Sequence, residues 1–195
     1  MIPQVIAALY VQKRGCYFGL PDVDPWDEER DARGYAGPHP VVAHPPCARW
    51  CKLAGLVEAR GGHKRGDDGG TFAAALASVR RWGGVLEHPA YTKAWAAHDL
   101  TAPRGAGWQR DLWGGWVCEV NQVAYGHRAQ KRTWLYAVMT AAPPALLWGE
   151  PEHEAVVGNG RNHKSTVVEL MSARERSATP PAFRDALLSI AWAAR

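Results

Sequence analysis

The sequence predicts an α/β fold: one domain over residues 1–195, with a mostly parallel sheet flanked by helices. Three observations carry this reading. Segments of strand length recur: an apolar run at Val5–Val11, a short β-branched one at Val41–Ala43, and Val85–Pro89, which ends in a carboxylate and a proline. Between the last two, Phe72, Leu76, Val79 and Trp82 fall at i, i+4, i+7 and i+10, the spacing of one helical face. A length of 195 residues supports one well-buried core and is cramped for two.

Taken in order, Val5–Val11 is the first buried strand. The acidic stretch after it holds Asp22, Asp24, Asp27, Glu28, Glu29 and Asp31, and reads as a solvated loop with a short helix from Trp26 to Arg33. Val41–Ala43 then runs through His44 into Pro45-Pro46. Proline fixes φ and removes a donor, so the strand stops there and Cys47 is presented at its end. Arg49–Leu56 suits a helical turn or two. Arg60–Gly70, with five glycines and mixed charge, belongs to a mobile loop at about 57–70, either a plain connection or a lid over whatever Cys47 attacks. Thr71 is the expected N-cap of the next helix, and Gly83-Gly84 stops it. Val85–Pro89 sets Glu87 at a strand end. Open α/β sheets bind ligands outside the carboxyl ends of their strands, so Cys47 and Glu87 are expected in one crevice. Residues 91–115 look irregular apart from a short helix at Lys93–Ala97. A strand follows at Trp116–Val123, then a basic turn at Tyr125–Arg132 and a strand at Thr133–Val138. A polar loop spans about 149–165 with a turn at Asn159-Gly160. Thr179-Pro180 opens a closing helix with Phe183, Leu187, Ile190 and Ala194 as its buried stripe.

Composition narrows the class. No apolar run approaches the ~20 residues that span a bilayer, and the start of the chain lacks the basic flank and apolar run of a secretory signal. A cytoplasmic protein with no membrane partner is expected. Four scattered cysteines (Cys16, Cys47, Cys51, Cys118) argue for thiols rather than a disulfide scaffold. The spacing of His44, Cys47, Cys51 and His63 matches no metal pattern, so no metal is expected. The His-x-Glu half of the nucleobase-deaminase signature is missing as well. A net charge of +4, with a compact cluster at His127–Arg132, is compatible with a polyanionic partner. Of ten tryptophans, Trp50, Trp108, Trp113 and Trp116 sit beside Gly or basic residues, where stacking on a base is one use and packing the other.

Four segments, in order, carry a resemblance. They are Pro45-Pro46-Cys47, Leu86-Glu87-His88-Pro89, Tyr125-Gly126-His127-Arg128-Ala129-Gln130-Lys131-Arg132 with the strand after it, and Thr179-Pro180-Pro181 before the last helix. Over residues 41–195 this set resembles the DNA cytosine-C5 methyltransferase family, and more narrowly a compact phage-type relative of it. The resemblance implies a Rossmann-like, methyltransferase-like sheet and a covalent mechanism on cytosine, in DNA of a phage-infected or bacterial host cell. Cys47 would add to C6, needing a pKa lowered by positive charge such as Arg49. Glu87 would hold the N3/N4 edge and help protonate N3. Arg132, with Arg128 and Lys131, would steady the ring or a phosphate; Pro46, Trp50, His88, Pro89 and Tyr125 would line the substrate site. A base within a duplex must be flipped out, or the substrate must be single-stranded.

Two departures from the family stand out. Nothing in the 46 residues before Cys47 matches the family's Phe-x-Gly-x-Gly turn for S-adenosylmethionine, which leaves Asp22 or Asp24 as ribose-binding acids without it. Nor is there room after the basic cluster for the usual target-recognition domain. Methylene-tetrahydrofolate is the alternative donor, giving hydroxymethyl transfer to cytosine in DNA or a nucleotide. A non-catalytic DNA-binding relative is the reading from another class.

Overall fold

The structure, a computed structural model, describes residues 5–51, 53–149, 151–152, 155–156, 169–170 and 172–194. Its main sheet has seven strands in the order β2-β1-β3-β4-β7-β6-β5. The first four are β1 (Ile6–Leu9), β2 (Val23–Trp26), β3 (Val41–Ala43) and β4 (Gly84–Pro89). They pair in parallel, with β2 on one side of β1 and β3 on the other, so the strand order reverses between β1 and β3. The remaining strands are β5 (Gln109–Arg110), β6 (Trp116–Asn121) and β7 (Arg132–Val138). These pair antiparallel, β7 being inserted between β4 and β6. Three of the six pairings are therefore antiparallel and the sheet is mixed, against the expected mostly parallel one. A short return through the 3-10 turn Gln122–Tyr125 allows only an antiparallel neighbour, since a parallel one needs a crossover of a dozen residues or more.

Helices cover both faces. α1 (Ala54–Ala59) follows the Cys47 turn, and α2 (Thr71–Trp82) packs on β3, β4 and β7. α3 (Lys93–Ala97) follows β4, and α4 (Ala173–Ser177) precedes α5 (Pro181–Trp192), which packs on β1, β3 and β4 from the other side. The period of two in the strands decides which core each residue joins. Ala7, Leu9, Val41, Ala43 and Leu86 face Phe72, Leu76 and Val79 of α2. Ile6, Ala8, Val42 and Val85 face Phe183, Leu187 and Ile190 of α5. Buried on both faces, these strands read as continuous apolar runs. Gly84 is required at the start of β4: its φ is +111°, and a Cβ there would lie 2.0 Å from the Val41 carbonyl oxygen.

Several elements depart from expectation. Trp26–Arg33 is not a helix; Val23–Trp26 is a strand and only Ala32–Gly34 forms a 3-10 turn. Pro25 is tolerated because β2 is an edge strand with β1 as its only neighbour. The guanidinium of Arg30 lies 4.1 Å from the Trp26 ring centroid and bonds Asp24. At the opposite edge β5 is two residues long, and Arg110 stacks 3.8 Å from the Trp116 ring centroid. The first helix sits at Ala54–Ala59, later than Arg49–Leu56. Thr71 does not cap α2. The Asp68 carboxylate does so, accepting from the Phe72 and Gly70 amides and the Thr71 hydroxyl at 2.9, 2.9 and 3.0 Å. Pro180 is the N-cap of α5, and Ala194 falls beyond its end. Within the expected polar loop at 149–165, β8 (Ala155–Val156) pairs in parallel with β9 (Glu169–Leu170). The Asn159-Gly160 turn lies outside the described residues. Among the described residues, no helix is long and apolar enough to cross a membrane.

Candidate active site

β1, β3 and β4 end side by side at the point where the strand order reverses. Outside their carboxyl ends lies a cavity of about 1480 Å³. The turn out of β1 contributes Tyr10, Gln12, Cys16 and Tyr17. The segment after β3 contributes His44, Pro45, Pro46 and Cys47, and β4 with its continuation contributes Glu87, Pro89 and Tyr91. Gln130, Lys131 and Arg132, together with Arg176–Thr179, complete the lining. Among the described residues, Glu87 is the one carboxylate in this lining, set against the cations Lys131, Arg132 and Arg176.

Glu87 is the hub of a buried hydrogen-bonded chain. His44 Nδ1 lies 3.0 Å from Glu87 Oε2, and the Tyr17 hydroxyl lies 2.8 Å from His44 Nε2. Gln122 Nε2 donates to Glu87 Oε1 at 3.2 Å and to Thr133 Oγ1 at 2.9 Å. Burial pushes the Glu87 carboxyl up, but the His44 hydrogen bond and the charges of His44 and Lys131 outweigh it and hold the carboxyl below its ordinary value. An ionised carboxylate only accepts, so His44 carries its proton on Nδ1. The other ring nitrogen, Nε2, shares its hydrogen bond with the Tyr17 hydroxyl. Burial raises the Tyr17 phenol well above its usual range, so it stays a donor.

Cys47 is half-buried in the same lining. Burial, and then the negative field of Glu87, raise its thiol pKa; the opposing cation is Lys131. Arg49, expected to supply that charge, is not among the groups acting on it. The thiol therefore rests protonated. The Lys131 ammonium donates to the Ala178 carbonyl at 3.0 Å and is pulled below its ordinary pKa by burial, against the charges of Glu87 and Cys47.

Of the expected site residues, the structure brings Pro46, Cys47, Glu87, Pro89, Lys131 and Arg132 together. Arg132 is held by Glu119, Nε to Oε1 at 2.7 Å, with its guanidinium 5.1 Å from the Tyr91 ring centroid. The others lie elsewhere. Alternation along β4 turns His88 to the opposite face from Glu87, into the core against Phe72 and Trp95, where burial brings its pKa down to about 4. Trp50 is buried in that core too, donating to Asp68 at 2.9 Å, and Arg49 sits beside it outside the cavity. Tyr125 packs on Phe183 and accepts from the Leu147 amide, while Arg128 pairs with Glu175 at 3.4 Å. Asp24 is bound to Arg30 and the Trp26 indole, and Asp22 makes the left-handed turn into β2 (φ 57°). Neither lines the cavity.

Sequence reasoning missed His44 and Gln122 as partners of Glu87, and Tyr17 and Thr133 as the groups that bond those two in turn. Only His44 carried a signal, as a histidine directly after the strand Val41–Ala43 and before the proline pair that stops it. Among the described residues, no group of three or more His, Cys, Asp or Glu side chains is placed to hold a metal ion. Comparison with known family models, with curated proteins and with solved structures finds no match to this chain.

Proposed function

We propose that this protein is a cytosine-C5 modifying transferase acting on DNA through a covalent adduct between Cys47 and C6 of the base, on a Rossmann-like domain. One observation carries the reading: a thiol, a buried ionised carboxylate and a basic wall, drawn from three separate parts of the chain, meet in one cavity at the strand-order reversal. Glu87 suits the amine edge of cytosine, because each of its oxygens keeps lone pairs beyond those given to His44 and Gln122. Lys131 and Arg176 supply positive charge for a phosphate.

In the proposed step the Sγ–C6 bond forms and the thiol proton departs to solvent. The C5=C6 pair shifts to C4=C5, and the C4=N3 pair comes to rest on N3, which takes up a proton. That proton comes from solvent, and the ionised Glu87 carboxylate, oriented by His44 and Tyr17, accepts from the N3–H so formed and from the amine. The product is an enamine with a nucleophilic C5. Lys131 lowers the free energy of the thiolate as the substrate excludes water.

A carbon donor such as S-adenosylmethionine would supply the electrophilic carbon. The residues around the cavity do not fit that group in the family's manner: Tyr10, with φ 58°, makes the turn out of β1, and among the described residues no carboxylate other than Glu87 lines the space. Methylene-tetrahydrofolate, which needs no such acid, stays the alternative for the same observation.

A single-stranded oligonucleotide carrying 5-fluorocytosine tests the reading, with each donor in turn. A denaturation-resistant adduct is expected from the natural sequence and not from Cys47→Ser. No adduct with either donor, or one that survives the substitution, overturns the catalytic reading; DNA binding retained without an adduct marks a binding module. The added mass on nucleosides from expressing cells names the transferred group.

A further inference from the structure

Beside the large cavity lies a second one of about 300 Å³, walled by Tyr91, Glu119, Asn121, Arg132 and Trp148. Tyr91 and Arg132 belong to both, so the two spaces adjoin. Asn121 is 3% exposed, and its orientation is fixed: Oδ1 accepts from the Val123 amide at 3.3 Å and the Lys131 amide at 3.1 Å. That leaves the carboxamide nitrogen, which finds no acceptor among the described residues. A buried donor in this state is unfavourable unless a ligand or water takes its hydrogens. Glu119 takes Arg132 on Oε1 and the Trp134 indole on Oε2 at 2.8 Å, so the guanidinium in this wall is already matched by a carboxylate. The wall thus disfavours a phosphate. Aromatic rings, an N–H donor and a carboxylate acceptor suit a flat heterocycle with acceptor and amino groups on its edge.

We propose that this cavity is a nucleobase subsite for the neighbour of the base addressed by Cys47, an inference that rests on reading the larger cavity as a DNA site. Tyr91, 43% exposed, stands between the two spaces as a partition and stacking surface. Asn121 Nδ2 donates to a ring nitrogen or carbonyl of the neighbouring base. Because Oδ1 is already used twice, Asn121 has no two-point fork to offer adenine, and the subsite reads the presence of an acceptor rather than one base.

The test uses the whole protein and short single-stranded oligonucleotides with one cytosine, from which the base 5′ or 3′ of it has been removed. One of the two abasic oligonucleotides is expected to bind about tenfold more weakly than the intact strand. That difference is expected to vanish in Asn121→Asp, which keeps the Oδ1 acceptor and removes the donor, and to shrink in Tyr91→Ala. Equal affinity for all three strands, or a full-sized penalty in both variants, overturns the subsite. Running the same strands with 5-fluorocytosine separates the two ideas. An adduct without a neighbour effect overturns the subsite alone, a neighbour effect without an adduct supports the subsite and overturns the catalytic step, and no binding of any strand overturns both.

Discussion

Glu87 and His88 are adjacent, yet they answer to pH in opposite environments. Glu87 is held below its ordinary value of 4.5, so its stabilising contribution is complete above about that pH and is lost as pH falls through the depressed folded value. Glu87→Gln should abolish that acid dependence and slow adduct formation about 10²–10⁴-fold, measured by melting curves and adduct yield. His88 is neutral in the core, with its pKa down to about 4 from 6.5. The unfolded chain takes up that proton first, so stability falls as pH drops from 6.5 toward 4, by about 3 kcal/mol if the full shift is realised. His88→Leu should flatten the melting temperature across that window. The side chains at strand ends were legible at this scale because proline marks where a strand must stop. Which way each points was not, because a one-residue change in where β4 begins exchanges Glu87 and His88 between faces. Gln122 and Thr133 carry no sequence signal at all: a buried polar network is specified only by the three-dimensional meeting of its members.

At the level of elements, the runs that were apolar throughout emerged at or near their expected positions. Those defined by caps and edges did not. α2 was visible in its period of 3.6, but its true cap, Asp68, sits within a glycine-rich stretch that composition alone calls a loop. Asp68→Ala removes three bonds to the first turn and the one to Trp50, and is expected to lower stability by about 2 kcal/mol in denaturant unfolding. β2 was hidden because Asp24 and Pro25 are poor strand formers, and an edge position tolerates both. Gly84→Ala asks more of the fold: a strained φ together with a clash against the β3 backbone is expected to destabilise by about 3 kcal/mol, or to prevent accumulation of soluble protein.

For the molecule as a whole, charge and topology act together. The basic wall of the large cavity and a net charge of +4 predict that single-stranded DNA binding weakens at least about tenfold between about 50 and 200 mM salt, by fluorescence anisotropy. A salt-independent affinity would place the contact away from Lys131 and Arg176. The α/β class was legible from the alternation of strand and helix patterns, whereas the strand order was not, since no local pattern says that β7 slides between β4 and β6. The same order leaves β2 and β5 outermost. One carries a proline and an arginine folded over its tryptophan, and the other is two residues long under a second arginine–tryptophan stack. Neither offers a long, flat row of unpaired amides for another chain to extend. A protein with so apolar a sheet interior is thereby guarded against edge-to-edge aggregation.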